Sequence, residues 1–490
     1  RRAQASALRE TRFRELWDDE GYRLGESKGR FLVQRGAAEA GAPVPDELPY
    51  YLLLIGPPTE IPFDFQYELD VAYAVGRLDL PSSDAYAAYA QRVVAAERGE
   101  IGRAPGAGFW GPATQGDLAT QLSSRFLLPP LADALTGHPV ARLVGDAGSK
   151  AALRRLMGPE GPALLMTASH GAYVPRAADP AKHEAWAGAL VTGDWVGQGP
   201  VGPDALLTAE DIAADDDLAG LVSVHFACFG AGTPRHDGFG LYRGKRVQRG
   251  QRDGVPQLPP ELAAQPFSAP LIRKMLGHPR GSLAAIGHVD VSFASAFLRP
   301  GEQASHAGQL EPYRSLLAAL MAGERVGRAM DWMHEKAADL AHGLAGQIHQ
   351  VNENLASLDD PLRHTLADQW LKTLDARSYV VHGDPAVRLA HRDPARGPRE
   401  STPLTLVSPP PARDTPTDEI PTDVEFGFFD GGVGGKLKAL GERVAGWLGQ
   451  QLDDLGNLEV KTWSSPAEGL DPDAPRRLRA MTRIGLYGDA

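Results

Sequence analysis

Short apolar runs that each break at a glycine-bearing turn recur along this chain, and they constrain its fold more than any other feature. They are Tyr50-Tyr51-Leu52-Leu53-Leu54-Ile55-Gly56, Val140-Ala141-Arg142-Leu143-Val144-Gly145, Ala163-Leu164-Leu165-Met166-Thr167-Ala168-Ser169 before His170-Gly171, Leu221-Val222-Ser223-Val224-His225-Phe226-Ala227 before Cys228, Ser282-Leu283-Ala284-Ala285-Ile286-Gly287, and Tyr379-Val380-Val381-His382-Gly383. Runs of this kind read as strands buried on both faces, the habit of parallel sheets. Between them, residues 84–97 are alanine-rich with helical apolar spacing, and residues 313–355 keep the same period with few breakers. Strands alternating with helices predict an α/β fold of mostly parallel sheets sandwiched by helices.

The same punctuation divides the chain. An N-terminal helical arm over 1–42 precedes a first α/β subdomain over 43–135 and a larger one over 136–398, which carries the His170 and Cys228 runs. Residues 399–422 include Pro409-Pro410-Pro411 and read as an extended linker, and 423–490 as a small C-terminal appendage. With 490 residues, 43% hydrophobic and 23% charged, the chain has the composition of a globular protein. A net charge of −12 argues against a general nucleic-acid surface. No apolar stretch approaches the roughly 20 residues that cross a bilayer. Arg1-Arg2-Ala3-Gln4 does not open an apolar secretory signal, so a cytoplasmic location without membrane association is expected.

Cys228 is the only cysteine, which excludes an internal disulfide and fits a reducing compartment. Most free cysteines only pack as small hydrophobes. The pairing sets this one apart: functional groups collect beyond the carboxyl ends of strands in open α/β sheets, and both Cys228 and His170 fall there. His225 is nearer in sequence, but strand alternation points positions 225 and 228 to opposite faces. His183 and His236 fall in loops and compete less well. A thiol near its reference pKa of about 8.5 is little ionised at neutral pH, and an adjacent imidazole raises its reactive fraction. Attack on a carbonyl creates an oxyanion, for which the backbone N–H groups of Gly171 and Cys228 are the candidate donors. His334-Glu335 lacks a second histidine one turn on, Gly434-Gly435-Lys436 is followed by Leu437 where a phosphate loop has a hydroxyl, and no Gly-x-Ser-x-Gly elbow occurs. No metal or cofactor is expected.

A strand ending in His-Gly followed by a strand ending in Ala-Cys, with glycine two places on, resembles the caspase-like (caspase-hemoglobinase) cysteine peptidases, the group of caspases, gingipains and CHAT-type proteases. The nearer resemblance is to the gingipain-like family. It is carried by Leu54-Ile55-Gly56-Pro57 through Asp70 to Val75-Gly76-Arg77, by Leu207-Thr208-Ala209-Glu210-Asp211-Ile212, by Gly281 to Gly287 and by His382-Gly383-Asp384-Pro385, and it spans residues 45–395. The chain departs from the pattern at Phe229, where many relatives carry a smaller or polar residue, and in the appendage, which has no counterpart.

The resemblance implies a caspase-like fold of two α/β subdomains and a thiol endopeptidase that cleaves protein or peptide substrates with a His170–Cys228 dyad. It implies an oxyanion hole at Gly171 and Cys228, and a pocket built partly by the segment after Gly287, with His288, Asp290 and Phe293 as candidates. Asp194 with Trp195, and Asp237, are alternatives. An acidic group in that pocket predicts cleavage after arginine or lysine. Arg243, Lys245, Arg246, Arg249 and Arg252 lie in a basic stretch over 242–253, where caspase-like enzymes carry a loop cut during activation, by the enzyme itself or by an upstream protease. Two other classes stay open: a catalytically silent scaffold that binds partners through the appendage, and a thiol hydrolase or acyltransferase acting on small molecules. Both His170 and Cys228 are present in the expected order, which disfavours the scaffold.

Overall fold

All six apolar runs form strands in the computed structural model, which describes residues 13–197, 199–238, 261–298, 307–353 and 360–391. They are β1 (Tyr51–Ile55), β4 (Val140–Gly145), β5 (Pro162–Ala168), β8 (Val222–Phe226), β11 (Ala284–His288) and β12 (Tyr379–Gly383). With β2 (Ala74–Leu78) and β3 (Ala104–Pro112) they build one eight-stranded sheet in the order β1-β2-β12-β11-β8-β5-β3-β4. Among the described residues two short pairs stand beside it, β6 (Leu190–Val191) with β7 (Leu206–Leu207) and β9 (Gly232–Thr233) with β10 (Phe267–Ser268). The linker, the appendage and the basic stretch 242–253 lie outside the described residues.

Every neighbouring pair in the large sheet is parallel except β11 with β12. The strands β11, β8, β5, β3 and β4 therefore run one way and β12, β2 and β1 the other. The fold is α/β, with a mostly parallel sheet flanked by helices. β3 lies between β5 and β4, so residues 104–112 share a block of sheet with the strands that follow them.

Burial on both faces holds for the central strands but not for the edge strands β1 and β4, which are largely half-buried or exposed. β8, β11 and β12 are buried at every residue, and β5 at all but its first, as continuous apolar runs require. β3 was hidden because its sequence, Ala-Pro-Gly-Ala-Gly-Phe-Trp-Gly-Pro, is poor in β-formers. Its Gly111 is dictated by packing, since a Cβ there would lie 2.5 Å from the Ala168 carbonyl oxygen. Along the central strands alternate residues enter different cores: Phe109 and Met166 join the larger cluster, Trp110 and Leu165 the smaller.

The helix expected over 84–97 spans Ser83–Arg98, started by the Ser82 hydroxyl accepting the Ala85 N–H and stopped at Gly99 with φ +74°. The long period from 313 resolves into the helices Ala307–Met321, Val326–Ala329 and Asp331–Asn352. The helix Asp360–Arg377 then leads into β12. No helix among the described residues is long and apolar enough to cross a membrane.

Of the histidines built into this interior, three are held neutral by burial. His225 in β8 lies 2.9 Å from the Thr167 hydroxyl through Nδ1 and 2.8 Å from the Ser223 hydroxyl through Nε2. Burial lowers its pKa to about 4, that of His334 to about 4 and that of His382 to about 3. Unfolded histidines titrate near 6.5, so below that pH the unfolded chain binds more protons than the folded one, and acid favours unfolding. Asp70, which burial raises well above the ordinary carboxylate range, and His288, where the lowering effect of burial is outweighed by Asp375 and Asp290, which raise it, act in the opposite sense. The thermal midpoint is expected to fall as pH drops from 6.5 to 4, by on the order of 3 kcal/mol of stability for each of His225 and His334. A midpoint that stays flat or rises across that window in a thermal denaturation series would contradict this account.

Candidate active site

Parallel pairing brings the two suspected residues to one place. β5 and β8 are neighbours in register, with Thr167 opposite His225 and Ala168 opposite Phe226. The Ser169 N–H still donates to the Phe226 carbonyl at 3.1 Å, so the chains separate only at His170 and Ala227-Cys228. There Gly171 lies directly against Cys228: a Cβ on Gly171 would stand 1.7 Å from the Cys228 carbonyl oxygen and 3.1 Å from its nitrogen. Only glycine permits this approach. On its other side Gly171 bridges Leu190, with the Val191 N–H donating to His170 and the Ala172 N–H to Ala189. In that pairing the Gly171 N–H points away from Leu190. It meets no acceptor among the described residues.

The turn after Cys228 is held in an unusual conformation. Among the described residues, three that are not glycine have a positive φ, and two of them are Phe229 at +58° and Asp290 at +72°. They meet in one hydrogen bond, Phe229 N–H to Asp290 carbonyl at 2.6 Å. Phe229 is buried and stacks on Tyr173 with ring centroids 5.0 Å apart. Left-handed backbone of this kind costs of order 1 kcal/mol or more per residue and clusters at functional sites.

His170 is half-buried and oriented by a residue that carried no motif. Its Nε2 lies 2.9 Å from Oδ2 of Asp117. Asp117 also caps the helix Leu118–Phe126, accepting the Thr120 N–H at 3.2 Å and the Thr120 hydroxyl at 2.6 Å. Burial pushes the Asp117 carboxyl up, but hydrogen bonds from Thr120 and His170 outweigh it, and the pKa is lowered. An ionised carboxylate only accepts, so Nε2 carries the proton and Nδ1 is the basic nitrogen. The one local sign of Asp117 in the sequence is its N-cap position ahead of Leu118-Ala119-Thr120.

The half-buried Cys228 sulfur faces the segment after β11. The Ser292 N–H donates to Sγ at 3.4 Å, and Sγ lies 3.6 Å from the Ser292 carbonyl oxygen. Ser292, like Asp117, was not singled out by sequence pattern.

The remaining candidates separate into two groups. Asp290 stands near the Cys228 turn, its Oδ2 accepting the Gly238 N–H at 3.0 Å and its Oδ1 the Val291 N–H at 2.8 Å. Asp237, next to Gly238, is buried, and Phe293 is half-buried on the Ser292 segment. Trp195 turns its ring edge toward His170 at 6.4 Å between centroids. His288, by contrast, is 0% exposed and bonded to Asp290 and Asp375, so it presents no surface to a substrate. Asp194 is engaged with the Lys150 N–H at 2.7 Å and the Thr192 hydroxyl at 2.8 Å, fastening its loop to the helix Lys150–Met157. His183 is buried with Nδ1 2.8 Å from the Val174 carbonyl, apart from the thiol's contacts. Among the described residues no cluster of His, Cys, Asp or Glu is arranged to hold a metal ion.

No protein-family model matches the chain, and no curated protein matches it. Among solved structures, one described as "Structure of Protease" is similar to it, with a TM-score of 0.40 and 11% identity over 74% of this chain and 67% of that one.

Replacing Gly171 by alanine forces the Cys228 backbone aside. Gly171→Ala is expected to destabilise the fold by roughly 3 kcal/mol or more, measured by urea denaturation, because the clash is with backbone rather than a flexible side chain. Parent-like stability of that variant would show that the two backbones are not in contact.

Proposed function

We propose that the chain is a cysteine endopeptidase of the caspase-like group, with Cys228 as nucleophile and His170 as acid–base. The observation that carries this reading is the contact of Gly171 with the Cys228 backbone at the ends of β5 and β8. It brings the residue after His170 against the Cys228 backbone at the ends of two adjacent strands, which supports their acting together.

These groups supply a nucleophile, a base and two backbone donors for thiol-dependent hydrolysis. Nδ1 of His170 takes the thiol proton, and the sulfur attacks the peptide carbonyl to form a C–S bond while the carbonyl electrons move to oxygen. The N–H groups of Gly171 and Cys228 stabilise that oxyanion without rearrangement. The imidazolium, whose charge Asp117 offsets, protonates the departing amine as the C–N bond breaks. Water, deprotonated by His170, then attacks the thioester, and the acid leaves as the thiol is restored.

Arginine or lysine is the proposed residue before the scissile bond, with Asp290, buried and accepting the Gly238 and Val291 N–H groups beside the Cys228 turn, as the candidate acidic partner. Cutting within 242–253 is the proposed activation step, by the enzyme or an upstream protease, and a reducing, cytoplasmic setting suits a single catalytic thiol.

Peptidyl electrophiles ending in arginine, lysine or aspartate, offered to the parent and to Cys228→Ala, test the reading directly. Arginine or lysine probes are expected to label Cys228 and to block hydrolysis, and the alanine protein to be folded and inactive. Hydrolysis by folded Cys228→Ala would end the proposal, and labelling by the aspartate probe alone would reverse the specificity. Intact mass of the active sample reads the activation step, which a fully active, uncut chain would remove. Asp117→Asn keeps a good N-cap while removing the carboxylate from His170. It is expected to lower kcat by roughly 100-fold or more with little change in thermal midpoint. Undiminished hydrolysis by that variant would show that Asp117 serves the helix alone.

A further inference from the structure

Behind the Cys228 turn lies a buried ion-pair partner set that the proposed chemistry does not use. His288, the last residue of β11, places Nε2 3.0 Å from the Asp375 carbonyl oxygen and 3.4 Å from its Oδ1, and Nδ1 3.3 Å from the Asp290 carbonyl oxygen. Asp375 is 4% exposed and sits near the end of the helix Asp360–Arg377. Its Oδ1 also accepts the Phe293 N–H at 3.2 Å. Asp375 thus grips the chain at 288 and again at 293. The span between holds the left-handed Asp290, whose carbonyl fixes Phe229, and Ser292, whose N–H meets the sulfur. Lys336, Tyr313 and Tyr379 face Asp375 from the neighbouring elements, and Tyr379 also faces Cys228.

We propose that His288 and Asp375 are positioning residues: they hold the segment Asp290–Phe293 so that the Ser292 N–H rests on the Cys228 sulfur and stabilises its thiolate. The proposal rests on the reading of Cys228 as a nucleophile. An ion pair buried only for stability is replaceable, since apolar side chains of similar volume in place of such a pair are often neutral or stabilising. A pair that aims a backbone N–H is not replaceable in this way, because the leucines fill the space without fixing the segment. Hydrogen bonding to the charged form of a thiol lowers its pKa, and the charge-assisted Ser292 N–H contact at 3.4 Å outweighs the longer 3.6 Å contact with the Ser292 carbonyl oxygen, which favours the neutral thiol, so displacing the segment moves the thiol back toward its reference value.

The rate of Cys228 alkylation by iodoacetamide, followed against pH in the full chain, tests this without reference to any peptide. The double variant His288→Leu/Asp375→Leu and the single variant Asp375→Ala, which removes the acceptor for the Phe293 N–H, are compared with the parent, and folding is checked by thermal denaturation. The parent midpoint is expected below about 8.5, the reference thiol value, and the folded variants are expected to shift it upward by about one unit, a tenfold change in thiolate fraction. A folded variant whose profile superposes on the parent's would overturn the proposal. So would a parent thiol that already titrates at the reference value, a result that needs no variant to fold. A thiol that depends on the pair in a protein that hydrolyses no peptide would sink the peptidase reading and leave this one standing.

Discussion

The site depends on one backbone contact, that of Gly171 with Cys228. Everything around it serves to make the approach possible and then to hold it. Parallel pairing of β5 with β8 carries the two chains side by side to their last residues, and burial of both strands fixes their register, because a slip of one residue would exchange core and exposed faces. The bridge to Leu190 then keeps Gly171 from moving outward, and the bond from Phe229 to Asp290 keeps the Cys228 turn from relaxing into an ordinary conformation.

Polar groups around this contact fall into two kinds. Those at the strand ends, Asp117, His170, Cys228 and the Ser292 N–H, are half-buried and linked across loops, where they meet both protein and solvent. Within the sheet, His225 between Thr167 and Ser223 is sealed and satisfied, and burial keeps the imidazole neutral. Histidine by itself therefore says little about chemistry in this molecule. The strand position of each one decides its part.

The sequence made the central strands legible because their burial leaves no room for alternation, and His170, Gly171 and Cys228 were legible because they follow such strands. β2 and β3 were not, since glycine and proline weaken their local signal and the need for close backbone approach only exists once neighbours are in place. Asp117 escaped for a related reason: locally it is a helix cap, and its second bond depends on a residue 53 positions away. Ser292 acts through its backbone N–H, so its side-chain identity advertises nothing. His288 and Asp194 attracted notice as polar residues in suggestive places, and their partners turn out to be internal. Side-chain type reveals groups that act through side chains at strand ends; it does not reveal those that act through main-chain geometry.

The reversal of direction between β11 and β12 settles where the remaining polypeptide is attached. β12 runs opposite to β8, so its carboxyl end emerges at the edge of the sheet away from Cys228. The described chain ends there, with His391 bridging Arg103 just ahead of β3. The last described residues therefore leave the sheet on the side opposite the one that carries Cys228, and the face with the thiol is left to the loops that follow β5, β8 and β11.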